Sequence, residues 1–184
     1  MSPNVYAAFS RILIEFYRER GPRRTLEIGA SWKTLLSIPV INRSYKVALN
    51  LEFKRVSPEL EKCHLVIGNS NKMVFGDDEF DCILSSSMLE HDKYFWKTIS
   101  EIRRVLVPGG LLVIGVPIYM KLPTDFKHTT LTFARHGYKY NADFYRFSEQ
   151  AVREVFFESF DAHNTVLARR YPNPYLVMSG VKRL

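Results

Sequence analysis

FDCILSSSMLEH, from Phe80 to His91, and RVLVPGGLLVIGVP, from Arg104 to Pro117, lie a dozen residues apart and together decide the architecture. In the first run Phe80, Cys82, Ile83 and Leu84 make a buried strand that opens into Ser85, Ser86 and Ser87. From Lys93 to Leu106 the residues Phe95, Trp96, Ile99, Ile102, Val105 and Leu106 recur on one face of a helix. Pro108, Gly109 and Gly110 are expected to stop that helix in a tight turn, and LLVIGVP is a second apolar strand. Strand, helix, turn and strand form one βαβ crossover, the unit of a parallel sheet covered by helices on both faces.

Outward from this unit the same alternation continues. Val5 to Tyr17 reads as an amphipathic helix ended by Gly21-Pro22. Strands are expected at Thr25 to Ile28, Tyr45 to Leu51 and Cys63 to Ile67. A short helix is expected at Trp32 to Ile38, stopped by Pro39, and another at Ser57-Pro58 with proline in its first turn. After Pro117 roughly 30 residues carry no clear period, which is long for an internal connection. Ser148 then caps a helix through Phe157. Strands Phe160 to Ala168 and Tyr175 to Lys182 close the chain, with Pro172-Asn173-Pro174 between them. Five alternating strands and a terminal hairpin argue an α/β fold with a doubly wound sheet.

The bulk composition bounds the function. With 184 residues, 46% hydrophobic and 14% aromatic, the chain reads as one globular domain over residues 1–184, with 118–146 as a lid-like insertion. No apolar run approaches the about 20 residues that span a bilayer, and the N-terminus lacks a signal-peptide pattern. A cytoplasmic protein is expected. Cys63 and Cys82 read as buried thiols, and two cysteines make neither a disulfide framework nor a zinc quartet, so no metal site is expected. The net charge of +7 is largely local. Arg18, Arg20, Arg23 and Arg24 precede the first strand, and Lys121, Lys127, Arg135, Lys139 and Arg146 fall in the long connection. A solvated basic face or an acidic partner would each explain it.

The run from Phe80 to Pro117 resembles the second half of the class I S-adenosylmethionine-dependent methyltransferase domain. The resemblance implies a Rossmann-like seven-stranded sheet, mostly parallel with one antiparallel strand, whose last strand is inserted beside the fifth. It also implies S-adenosylmethionine as cofactor. In an open α/β sheet, ligands bind outside the carboxyl ends of the strands where strand order reverses. There TLEIGAS, Thr25 to Ser31, matches the family's acidic-x-Gly-x-Gly-x-Gly loop at Glu27 and Gly29 and departs from it at Ser31 and Trp32. After the second strand Asn50, or Glu52 on the same side of the chain, stands where the family carries a ribose-binding carboxylate. After the third, Asn69 matches the adenine-binding aspartate, with Ser70 beside it. Ser85 lines the exit of the fourth strand.

For the transfer itself His91 is the candidate base, since an ordinary imidazole titrates near neutrality. Glu90 has the same standing, and for both the alternative role is holding the start of a helix. The long connection holds Tyr119, Asp125, His128, His136, Tyr138 and Tyr140. Its end, ADFYRFSEQAV, resembles a run in bacterial methyltransferases found with surface-glycan genes, which would set Asp143, Tyr145 and Arg146 over the pocket mouth. The alternative for Arg146 is an ion pair with Asp143. Asn173-Pro174-Tyr175 looks like the Asn-Pro-Pro-Tyr signature of amino-group nucleic-acid methyltransferases, but it lies in the terminal hairpin and reads as a turn. The expected function is O- or N-methylation of a small or glycan-type acceptor, including phosphate-bearing ones. The alternatives are a non-catalytic binding protein of the same fold that has lost the cofactor and, ranked last, an RNA methyltransferase. Nucleic acid is not an expected partner, and oligomeric state is left open.

Overall fold

Five short β-branched and leucine-rich runs line up in parallel because each is followed by a crossover segment that returns the chain to the same edge. The computed structural model describes residues 2–18, 20–121, 129–130, 143–169 and 173–184. Helix α1 (Pro3–Tyr17) is capped by the Ser2 hydroxyl, which accepts from the Val5 N–H. The strands that follow are β1 (Arg24–Ile28), β2 (Tyr45–Asn50), β3 (His64–Ile67), β4 (Phe80–Ser86) and β5 (Leu106–Pro117). The short helix α2 (Pro58–Glu61) lies between β2 and β3, and α3 (Phe95–Val105) lies between β4 and β5. After α4 (Glu149–Ala151), which runs on into a π-helical turn at Val152–Phe156, come β6 (Phe160–Arg169) and β7 (Tyr175–Lys182).

The sheet order is β3-β2-β1-β4-β5-β7-β6. The first five strands are parallel, and β7 runs antiparallel to both β5 and β6. One antiparallel strand inserted beside the fifth is the arrangement that the resemblance implies. Strand order reverses between β1 and β4, which sets the ligand crevice at the exits of these two strands. On one face α1 buries Phe9, Ile12 and Leu13 against Cys82, Leu84 and Val113. On the other, Ile99, Ile102 and Val105 of α3 pack with Ile83, Leu112, Phe147 and Phe156.

Two local expectations are corrected. Helix α3 stops at Val105 and the strand begins at once with Leu106, so Pro108-Gly109-Gly110 lies within β5 rather than ahead of it. Those residues form an irregularity between the pairs Phe80↔Leu106 and Cys82↔Leu111, with Gly109 at φ 78°. Proline disfavours helical backbone at the residue before it, which ends the helix early. The expected helix at Trp32 to Ile38 is instead a 3-10 turn at Leu35–Ser37 capped by Thr34. Pro39 starts a second such turn, Pro39–Ile41, rather than stopping the first, because its fixed φ suits a first helical position.

In the long connection, Ile118 bridges to Phe147, so the excursion leaves and returns at one point. A two-residue ribbon pairs Met120–Lys121 with Thr129–Thr130. Asp125, Lys127, His128, Arg135, His136, Tyr138, Lys139 and Tyr140 lie outside the described residues. Among the described residues no helix is long and apolar enough to cross a membrane.

Candidate active site

At the exit of β1 the chain turns at Gly29, whose φ of 77° is the left-handed conformation that favours glycine. Its N–H donates to the Leu49 carbonyl at 2.8 Å, which ties the turn to the end of β2. A Cβ here would lie 2.7 Å from Met88 Cγ, so Met88, just beyond β4, closes over the glycine. Glu27 is buried at 3% exposure. Its Oε2 accepts from the Thr34 hydroxyl and, at 3.0 Å, from the Leu35 N–H. Burial pushes this carboxyl up to about 7 against the pull of those bonds. Glu27 thus organises the loop that follows Gly29.

Asn50, at the end of β2, engages both ends of its amide, one on the loop after Gly29 and one on the residue that follows it. Nδ2 donates to the Ala30 carbonyl at 2.7 Å, and Oδ1 accepts from the Leu51 N–H at 2.8 Å. Glu52 is exposed and pairs with Lys54 at 2.9 Å. Ser31 is exposed, and Trp32 beside it lies under the Lys33 ammonium at 4.8 Å. After β3, Asn69 Oδ1 accepts from the Asn71 N–H at 2.9 Å and shapes its own turn. The Ser70 hydroxyl accepts from Thr98, which with Asn71 and Asp92 forms a polar network at the start of α3.

The exit of β4 gathers the titratable groups. Ser85 is buried, pairs in register with Ile28 and Ile114, and its hydroxyl has no partner among the described residues. Ser86 and Ser87 both share hydrogen bonds of 2.9 Å with the Tyr175 hydroxyl. Ser87 holds φ 52°, a conformation costly for a residue with a side chain. Gly115 makes room for this tyrosine, because a Cβ there would lie 2.9 Å from its ring and its oxygen. Glu90 is 3% exposed, and its Oε2 has no partner among the described residues. Burial raises its carboxyl to about 8. His91 Nε2 stands 3.8 Å from Glu90 Oε1.

The returning end of the long connection docks on this turn. The Phe144 and Tyr145 N–H groups donate to the Glu90 carbonyl at 2.8 and 3.2 Å. Arg146 grips Asp143 in a two-pronged pair, and its guanidinium holds Asp143 below the usual carboxylate range. Tyr145 packs edge-on against Phe95 at 5.1 Å, and its hydroxyl donates to the Lys93 carbonyl at 3.0 Å. A cavity of about 450 Å3 lies at the start of the long connection, lined by Ile118, Tyr119, Met120, Glu149, Thr165, Leu167 and Leu176, and none of the crevice residues named above lines it. Among the described residues no group of three His, Cys, Asp or Glu side chains could hold a metal ion.

Residues 29–114 match the family described as methyltransferase domain. Over that span, just under half of the chain, the sequence is similar to a methyltransferase domain. That match begins at Gly29 and ends in β5, so it spans the crevice and bears out the resemblance to class I S-adenosylmethionine-dependent methyltransferases. The fold is also that of 1,6-didemethyltoxoflavin-N1-methyltransferase from Burkholderia thailandensis, at a TM-score of 0.70 and 18% identity over 97% of this chain and 78% of that one. It is similar to phosphoethanolamine N-methyltransferase 2 of Haemonchus contortus, at TM-score 0.68 and 14% identity over 96% of this chain and 53% of that one. The [4+2]-cyclase SpnF shares it at TM-score 0.67 and 13% identity, over 96% and 81%. By sequence, 94 residues are 28% identical to an uncharacterized 37.1 kDa protein in transposon TN4556 of Streptomyces fradiae. That match covers 46% of this chain and about a quarter, 27%, of the relative.

The fold therefore brings Glu27, Gly29 and Asn50 together around one loop and Ser85, Glu90, His91, Asp143 and Arg146 around another. Glu52 and Asn69 stand exposed at the exits of β2 and β3. Sequence reasoning missed Met88 over Gly29 and Tyr175 against the β4 exit. A glycine inside an apolar strand marks close approach of another group, and Gly115 was the signal for Tyr175.

Proposed function

We propose that the chain is an S-adenosylmethionine-dependent methyltransferase acting on an oxygen or nitrogen of a small or glycan-type acceptor. The observation that carries this reading is the left-handed turn at Gly29 at the β1/β4 switch point, where the methyltransferase domain match begins. The residues present fit the cofactor in outline. The Gly29-Ala30-Ser31 backbone would approach its amino-acid end, and Asn50 Oδ1 keeps one lone pair for a ribose hydroxyl. Asn69 and Ser70 flank the adenine side, and the unpartnered Ser85 hydroxyl faces the crevice end of β4. Bound there, the cofactor supplies a methyl group made electrophilic by its sulfonium.

The chain's own work is to orient and deprotonate. Glu27 and Asn50 fix the loop, and the Ser86-Tyr175-Ser87 contacts fix the exit of β4. His91 is proposed as a base, with Asp143, Tyr145 and Arg146 forming the acceptor side of the site. The segment 118–146 is proposed as a substrate-facing insertion, supported by its ends meeting at Ile118 and Phe147 beside the cavity. An acceptor bearing phosphate and a cytoplasmic location belong to the same proposal. Thermal unfolding with S-adenosylhomocysteine, against adenosine as control, tests it: a concentration-dependent rise in midpoint is expected with the former.

A second reading has one specific support. The Asn50 amide is committed to Ala30 and Leu51, which leaves a weak ribose partner in a fold that SpnF shares as a cyclase. In that reading the chain binds a partner without cofactor, and S-adenosylhomocysteine leaves the midpoint unchanged.

A further inference from the structure

Glu90 is the one buried carboxyl among the described residues with an oxygen that nothing satisfies. Native proteins leave few such atoms, and one at a functional site calls for a ligand. Among the described residues, its neighbours come from three elements. His91 adjoins it on its own turn, and Asp143 and Arg146 face it from the returning connection. Tyr175 faces it from β7, with Ser86 and Ser87 bonded to that hydroxyl at the β4 exit. Arg146 is engaged two-pronged by Asp143, so this cation is already balanced by another carboxylate. With Glu90 ionised, the set Glu90, Asp143 and Arg146 carries one net negative charge. The position is also the right one: two residues earlier, Met88 lies against Gly29.

Resting on the methyltransferase reading, we infer that Glu90 Oε2 receives the amino group of the acceptor, so that the acceptor is a primary or secondary amine and Glu90, rather than the neighbouring His91, takes its proton. An ammonium neutralises the net charge, whereas a carboxylate or phosphate would add to it. For a primary amine the step balances as follows. The carboxylate takes one proton from the ammonium and becomes a carboxylic acid, leaving a neutral amine. The nitrogen lone pair forms the new N–C bond while the S–C bond of the methyl donor breaks and its pair stays on sulfur. The product leaves as the methylated ammonium, and Glu90 returns its proton to water. A carboxyl held near pH 8 by burial suits this exchange with an amine.

The experiment needs no knowledge of the natural acceptor. Protein labelled with 13C at glutamate is titrated, and the Glu90 carboxyl resonance, identified by its loss in Glu90→Gln, is followed with pH. If that variant does not fold, through-bond correlation to the Glu90 amide in the wild type identifies it. The midpoint is expected at about 8 in the free protein. It should fall by about one pH unit or more with saturating propylamine, the effect of an opposite charge in contact, and stay put with propanol or propionate. A midpoint in the ordinary carboxyl range, no effect of propylamine, or an equal effect of propionate would overturn the inference. S-adenosylhomocysteine binding is measured in parallel on the same samples. Its absence with the propylamine shift intact would sink the methyltransferase reading and leave the amine site standing.

Discussion

Replacing Asn50 by aspartate separates two roles that the sequence alone could not. A carboxylate at this position is what the family carries for the ribose, so by resemblance Asn50→Asp should be a gain. The structure gives the opposite sign for stability. Asn50 Nδ2 donates to the Ala30 carbonyl at 2.7 Å, and Ala30 is fully buried. An ionised aspartate cannot donate, so it leaves that carbonyl unsatisfied and points an anionic oxygen at it. Leaving a buried acceptor unmade costs about 1–3 kcal/mol. Taking about 2 kcal/mol as the centre, a chain of this size loses about 4–8 °C in unfolding midpoint. The pH dependence gives a second check. Once protonated, the introduced carboxyl donates as the asparagine amide does, so the folded state favours the acid. Its folded pKa therefore lies above the unfolded value of about 3.9. The deficit against wild type is full above the folded pKa and closes as pH falls through it. Calorimetric unfolding of both proteins between pH 4 and 8 measures this. An Asn50→Asp protein as stable as wild type at neutral pH would undo the loop-fixing role and return Asn50 to a simple ribose contact.

Three further outcomes are expected. Gly29→Ala should lose about 1–2 kcal/mol from the left-handed backbone alone and more from contact with Met88, so Gly29→Ala with Met88→Ala should cost less than the sum of the two; strict additivity would mean that Met88 does not close over the glycine. Tyr145→Phe, which removes the bond to the Lys93 carbonyl, should lower stability by about 0.5–1.5 kcal/mol with S-adenosylhomocysteine affinity unchanged, and a loss of affinity would place this tyrosine at the cofactor instead. Glu27 is held protonated up to about 7 against an ordinary value of 4.5, so its contribution to stability is full below 4.5 and is lost as pH rises towards 7. Glu27→Gln should remove that part of the decline, and an unaltered pH profile would show that the carboxyl is not buried as described.

What the sequence made legible was everything governed by local period. The βαβ unit from Phe80 to Pro117 and the caps at Ser57 and Ser148 follow from apolar spacing and turn residues over a few positions, whereas the strand inserted beside the fifth was implied by the family resemblance alone. The glycine turn was legible too, because Gly29 ends an apolar strand. The site's contacts were not. Asn50 reaches Ala30 and Tyr175 reaches Ser86, partners 20 and 89 positions apart, and no local pattern encodes which of several polar groups a side chain will meet. Pro39 misled for a local reason, since the same fixed φ that ends one helix begins the next turn. The docking of Phe144 and Tyr145 on the Glu90 carbonyl depends on where a long connection returns, and its composition says nothing of that.

The methyl-transfer reading depends on the Gly29 turn at the β1/β4 switch point holding S-adenosylmethionine. Isothermal calorimetry of S-adenosylhomocysteine into the wild-type chain tests this without an acceptor. Saturable heat with one site per chain is expected, and Gly29→Val should abolish it. No detectable heat at millimolar ligand, in a chain whose circular dichroism shows it folded, would mean that the crevice does not take the cofactor.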